Sequence, residues 1–292
     1  MKNRKMVVVF GADGMLGHDV VHYFDGGFKV LYPRHSEVDI TDRESVKRYF
    51  WRHGVGYDTI VINCAACTDV KGIQFDADKQ RDSFAVNCLG AYNLASVCRE
   101  TGTWLIHVST DYVYSENAMY REFPKNIYGC HKFTGELLVV NSGLDYYTIV
   151  RVGCLYGMNR NKSFIHKFLE NAKGKIASCD FRPQVVDFQR SVPTSTLFVC
   201  EAFRYIIENE IFGVLDVSPK GSPVTRYEFA NRIVSLANQS GKFDGMENVI
   251  PLRVEGGSDY LPSSSCMMEI DPSLYLDFSD IDWEQDLERF FK

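Results

Sequence analysis

Met6–Phe10 is a continuous apolar run, and it leads straight into Gly11-Ala-Asp-Gly14-Met-Leu-Gly17. The glycines are followed by a stretch with helical spacing, in which Leu16, Val20, Val21 and Phe24 form one stripe. A strand, a glycine turn and a helix in direct succession commit this end of the chain to an α/β unit. Glycines at such intervals permit a tight turn, close backbone approach to a pyrophosphate and close helix–strand packing. The start of the helix then offers unpaired N–H groups to the phosphates. The spacing is G-x-x-G-x-x-G, and no Gly-Lys-Ser/Thr follows, so the turn is not a P-loop.

The alternation continues. Short strands are predicted over about 28–31, 57–63, 103–109 and 147–152, and helices over about 43–53, 79–101 and 128–141. Thr41 or Asp42 caps the first of these helices, and Gly102 ends the long one. Nearly continuous apolar strands alternating with helices mean a parallel sheet covered on both faces. The fold class is therefore α/β, a doubly wound parallel sheet with a smaller C-terminal lobe. Residues 1–152 read as the dinucleotide-binding part. Residues 153–292 read as a substrate lobe partly interleaved with it. In that half helices are expected over about 162–173, 194–208 and 225–239, with a strand over about 213–217. The last fifty residues contain Gly256-Gly257, Pro262 and Ser263–Ser265 and are expected to be loop-rich.

Charge narrows the function. The net charge is −6, which disfavours an electrostatic nucleic-acid or membrane-surface role and leaves local basic spots for a small phosphorylated ligand. The nine cysteines include one C-x-x-C, Cys64 and Cys67, without a second pair or a His pair at zinc spacing. They read as free thiols of a reducing compartment. The apolar run after the basic start is too short for a signal core, and no stretch approaches a membrane span. A cytoplasmic, soluble protein is expected.

The second chemical signal is Tyr128-Gly-Cys-His-Lys132. Tyr and Lys at i, i+4 share a helical face. A nearby ammonium lowers the pKa of a Tyr hydroxyl and can also hold a cofactor ribose. Such a Tyr can protonate a carbonyl oxygen as hydride arrives at the carbon. Ser109-Thr110-Asp111 sits upstream at the end of a strand, on the edge where doubly wound folds hold their ligands.

Together these segments resemble the extended short-chain dehydrogenases/reductases. The resemblance rests on the glycine turn, Asn63-Cys-Ala65-Ala66, Ser109-Thr110-Asp111-Tyr112-Val113-Tyr114, Tyr128-Gly-x-x-Lys132-x-x-Gly135-Glu136 and Arg151-x-x-x-Leu155-Tyr156-Gly157. With Gly213-Val and Tyr227-Glu-Phe-Ala230, the chain is most similar to the dTDP-4-dehydrorhamnose reductase (RmlD-type) family. The resemblance implies hydride transfer from NADPH or NADH to C4 of a nucleotide-linked 4-keto-6-deoxy sugar. It implies Tyr128 as proton donor, Lys132 as its partner on the ribose, and Thr110 as the hydroxyl on the keto oxygen. It places Gly11, Gly14, Met15, Leu16 and Gly17 at the pyrophosphate, Asp39 and Ile40 beside the adenine, and Ala65 and Ala66 along the cofactor. Asn87 supports that site, and Asp111 and Tyr112 lie beside the substrate. Cys67, Lys71 and Ser191 depart from the family pattern at substrate-facing segments.

Other expectations come from the residues. Arg34, after the second strand, can take the 2′-phosphate of NADPH. Arg182 and Arg190 flank Asp187–Thr194 and are candidates for the substrate diphosphate, with Arg160 and Lys162 near the Arg151–Gly157 motif. No metal is required. A homodimer stays open. The alternatives are a 4,6-dehydratase or 4-epimerase of the same superfamily, or a non-catalytic dinucleotide-binding subunit resembling the β-subunit of methionine adenosyltransferase.

Overall fold

The structure, a computed structural model, describes residues 6–114, 124–157, 165, 166, 168, 169, 184–241, 250–252, 260–265, 267 and 271–292. Its centre is a six-stranded parallel sheet. The strands are β1 (Met6–Phe10), β2 (Lys29–Leu31), β3 (Thr59–Asn63), β4 (Trp104–Thr110), β5 (Tyr147–Val152) and, from the second half of the chain, β10 (Gly213–Val217). Their order across the sheet is β10-β5-β4-β3-β1-β2. From β1 the chain winds outward first to β2 and then, through β3, in the other direction, so the order reverses beside β1. Registers Phe10↔Asn63, Asn63↔His107, Thr110↔Val152 and Val217↔Val152 set the carboxyl ends along one edge.

Alternate strand residues feed two cores. Val7, Val9, Ile60, Ile62 and Val150 face α1 (Met15–Phe24) and the later helix Thr196–Asn209. Val8, Phe10, Val61 and Leu105 face α2 (Arg43–His53), α5 (Ala91–Thr101) and α6 (Ile127–Val140). Asp42 accepts from Glu44 N at 2.9 Å and caps α2, and Gly102 ends α5 in the left-handed region at φ 67°.

The helix expected over about 79–101 differs in detail. Two short helices, α3 (Val70–Phe75) and α4 (Ala77–Phe84), come first, and a single π-helical stretch, Ala85–Gly90, then joins α4 to α5. A Cβ on Gly135 of α6 would lie 2.2 Å from Asn87 O, so the widened turn and the glycine face one another at closest approach.

In the second half, β6 (Leu155–Tyr156), β7 (Gln184–Val186), β8 (Arg190–Ser191) and β9 (Thr194–Ser195) precede α7 (Thr196–Asn209). After β10 come β11 (Val224–Thr225), α8 (Arg226–Gln239) and β12 (Ile250–Leu252). These strands form three small pairs, β11 with β8, β12 with β7 and β6 with β9. Of the helix expected over about 162–173, four residues are described, and all four are helical. The expected loop-rich end is corrected by α9 (Trp283–Phe291). Asp282 and Gln285 form a capping box there, and Trp283, Leu287 and Phe291 close a third core over Tyr156, Phe229 and Ile233. No helix among the described residues is long and apolar enough to cross a membrane.

Candidate active site

A cavity of about 540 Å³ opens along the carboxyl edge of the sheet. One end is lined by Gly14, Met15, Leu16 and Gly17. Gly11 turns the chain at φ +79°, and a Cβ there would sit 2.5 Å from Ala65 N. A Cβ on Gly17 would lie 2.3 Å from Gly11 O. Both positions require glycine, because backbone already occupies the space. Gly14 leaves α1 without a side-chain cap, and the first turn carries no acidic residue. The leading N–H groups of α1 are therefore available to an anionic ligand. Ser109 Oγ, also lining the cavity, is buried without a hydrogen-bond partner among the described residues. A closely built glycine cradle, a bare helix start and an orphaned hydroxyl suit a dinucleotide.

The reacting end is built by β4 and α6. Asn126 caps α6 by accepting from Gly129 N at 2.7 Å, and its amide donates to Tyr260 O at 3.0 Å. A Cβ on Gly129 would be 2.3 Å from Tyr112 O, so glycine lets α6 lie close against the end of β4. Tyr128, Lys132 and Glu136 then follow at i, i+4 and i+8. Glu136 receives both arms of Arg151 from β5, at 3.0 and 2.7 Å, which fixes the helix against the sheet. Lys132 Nζ donates to Val108 O at 2.7 Å. Thr110 Oγ1 donates to Asp111 Oδ1 at 3.0 Å and is hydrogen-bonded with the Tyr128 hydroxyl. The Tyr112 ring meets that of Tyr128 edge-on at 6.0 Å, and the Tyr112 hydroxyl accepts from Gln189 Nε2.

Burial governs the titration of these groups. It pushes the Tyr128 hydroxyl well above the usual phenol value, with the Thr110 hydrogen bond acting in the opposite sense. It pulls Lys132 down to about 8, against the upward effect of Glu136. The expectation of a Tyr pKa lowered by the lysine is thus corrected for the protein alone: desolvation, with the nearby Asp111 charge, outweighs the Thr110 hydrogen bond. Tyr128 is held protonated. Asp111 is pushed up to about 6 by burial, and hydrogen bonds from Ser265 and Thr110 favour its charged form.

Of the residues expected at the site, Gly14, Met15, Leu16, Gly17, Ala66, Thr110, Asp111, Tyr112, Tyr128 and Lys132 line this one cavity. Gly11 and Ala65 stand immediately behind it, in contact with each other. Asn87 does not line it. Its side chain bonds both Cys67 N and Cys67 O, at 2.9 and 3.0 Å, and so holds the loop after β3. Arg34, Asp39 and Ile40 are also outside the lining. Asp39 accepts from Thr41 N, and Ile40 is buried against Gly90. Arg190 is turned elsewhere: it donates to Pro223 O at 2.7 Å, lies 3.7 Å from Glu228, and is absent from the lining. Arg182, Arg160 and Lys162 lie outside the described residues.

A model of the family described as RmlD substrate binding domain matches residues 5–292. The chain belongs to that RmlD family. The dTDP-4-keto-6-deoxy-D-glucose reductase of Streptomyces niveus is 34% identical over 265 residues, 86% of this chain and 84% of that protein. The NADP complex of dTDP-4-dehydrorhamnose reductase from Bacillus anthracis superposes with a TM-score of 0.82 at 26% identity and covers 99% of both chains. Methionine adenosyltransferase 2 subunit beta of Pongo abelii is 29% identical over 265 residues, 81% of this chain and 73% of that one. The fold is thus the Rossmann-type α/β architecture of RmlD-family structures.

Sequence reasoning missed Cys64, Thr68, Val70, Cys154, Arg226 and Phe229 as lining residues. A signal existed for Arg226. Thr225-x-x-Glu228 is a capping-box sequence, and it sets the next residue at the first position of a helix. Among the described residues no group of three or more His, Cys, Asp or Glu is arranged to hold a metal ion.

Proposed function

We propose that this protein is an NADPH-dependent reductase that converts the 4-keto group of a nucleotide-linked 6-deoxy sugar to an alcohol. The observation that carries the reading is the convergence of Thr110, Tyr128 and Lys132 on a cavity whose other end is the α1 glycine turn. The named activities of the Streptomyces and Bacillus relatives support it.

The glycine turn and the start of α1 bind the cofactor pyrophosphate, and Lys132 holds the ribose. Arg34, exposed after β2, takes the 2′-phosphate that distinguishes NADPH from NADH. The reduced nicotinamide, when bound, supplies the hydride. Thr110 and Tyr128 hold the keto oxygen through their hydroxyls. As negative charge grows on that oxygen, Tyr128 delivers its proton, and the Lys132 ammonium stabilises the phenolate left behind. The buried setting makes that stabilisation strong. The lobe formed by residues 153–292 supplies the sugar-nucleotide side, with Tyr112 held by Gln189.

The test is NADPH oxidation with dTDP-, UDP-, GDP- and CDP-4-keto-6-deoxy sugars. Wild-type protein should turn over at least one of them. Tyr128→Phe should lose about 10²–10⁴ in kcat while keeping its NADPH affinity. Cofactor binding without turnover of any sugar would favour a regulatory subunit, and near-normal kcat in Tyr128→Phe would remove the assigned donor.

A further inference from the structure

One wall of the cavity comes from the C-terminal lobe, at the start of α8, where Arg226 and Phe229 line it. Thr225 caps the helix by accepting from Glu228 N at 3.1 Å, and Glu228 folds back to accept from Thr225 N at 2.7 Å. This box fixes Arg226 as the first helical residue. Two cations line the cavity among its described residues, Lys132 and Arg226. Lys132 is fully buried beside Tyr128 and already donates to Val108 O. Arg226 has no hydrogen bond or ion pair among the described residues, although its charge is felt at Asp111, Tyr112 and Cys154, three other lining residues. Arg190, the neighbouring cation of this lobe, is neutralised by Glu228 and held by Pro223 O.

A positive side chain with no ion pair or hydrogen bond among the described residues, lining a cavity in a chain of net charge −6, is a feature for an anionic ligand. The guanidinium fork matches phosphate oxygens in pairs. We propose that Arg226 binds the diphosphate of the sugar nucleotide and so anchors the substrate while its keto group meets Thr110 and Tyr128. This rests on the sugar-nucleotide reading above and deepens it. The α1 turn serves the cofactor phosphates and Arg226 the substrate phosphates, so the two anionic ligands are assigned to different halves of the chain.

The experiment is calorimetric titration of dTDP, UDP, GDP and CDP into protein saturated with NADP+, for wild type, Arg226→Ala, Arg226→Lys and Arg190→Ala. The wild-type protein should bind at least one of these diphosphates. For that diphosphate, Arg226→Ala should raise Kd by at least about tenfold, a loss of about 1.4 kcal/mol. Arg226→Lys should recover part of the loss, and Arg190→Ala should match wild type. NADPH affinity should be unchanged in all three variants, which also reports that they are folded. Steady-state kinetics with the keto sugar should show the loss in KM more than in kcat. An unchanged diphosphate Kd in Arg226→Ala overturns the assignment, even if the sugar KM rises, because the guanidinium then touches the sugar. A wild-type protein that binds none of the four overturns it as well. The reductase reading fails by a different result: a diphosphate binds and Arg226→Ala weakens it, yet no keto sugar oxidises NADPH.

Discussion

Lys132 is a charged side chain with 2% of its surface exposed. Burial penalises the ammonium and brings its pKa to about 8, whereas an unfolded lysine titrates near 10.4. A depressed pKa means the folded protein releases this proton first. The penalty on folding is full below about pH 8 and is relieved between about pH 8 and 10.4, so stability from this source rises with pH across that window. Ligand binding has the opposite dependence. Losing the proton removes the charge and a donor N–H from the residue assigned to the cofactor ribose. The Kd for NADPH should therefore climb as pH passes about 8, and Lys132→Met should give weaker binding with a flat profile. Fluorescence titration of NADPH between pH 6 and 10 in roughly unit steps, bracketing this transition, measures it. A wild-type Kd that stays level through pH 9 would show that the ammonium does not contribute.

The helix that ends at Gly102 shows what sequence spacing can and cannot convey about an element. Its apolar stripe and terminal glycine are visible in the sequence. The π-helical stretch Ala85–Gly90 is not, because it answers to α6 packing across it, with Gly135 over Asn87 O. Gly135→Ala would drive a methyl group to 2.2 Å from that carbonyl. Either the widened turn or α6 must shift, and overpacking of this kind costs about 1–3 kcal/mol. A lower urea midpoint, together with a raised KM for cofactor, is expected; a midpoint equal to wild type would mean that the two helices separate freely. The same contrast runs through the site. Tyr128 and Lys132 were legible because i, i+4 spacing is local. Strands β5 and β10 were legible because their apolar runs are short and bounded. Arg226 was not, because its place on the cavity depends on how the second lobe packs. Arg190 falls outside the cavity lining because it is drawn to Glu228 and Pro223 O, far along the chain, a contact that only the packing of β8 against β11 creates. Helix α9 carried its own signal, Trp283, Leu287 and Phe291 at helical spacing, but the preceding glycine- and serine-rich stretch dominated the reading.

Across the whole molecule, one carboxylate joins α9 to the helices packed on the central sheet. Asp286 accepts from Ser195 N at 3.0 Å, Ser195 Oγ at 2.8 Å and Tyr156 OH at 3.1 Å. Ser195 caps α7, and α7 packs on α1, the helix that begins at the glycine turn. Asp286→Ala leaves buried donors unpaired, at about 1–3 kcal/mol. The loss should appear as a lower urea midpoint, with NADPH protecting less of the protein from proteolysis; full stability in the variant would mean that the third core holds α9 without this carboxylate. The order in which these parts emerge during translation adds a constraint of its own. Helix α9 leaves the ribosome roughly sixty residues after Phe229, several seconds later at about 5–20 residues per second. Until then, Tyr156 and Phe229 lack the cover that Trp283, Leu287 and Phe291 provide. The nascent lobe thus passes through an interval with an open apolar face, in which a chaperone has something to hold.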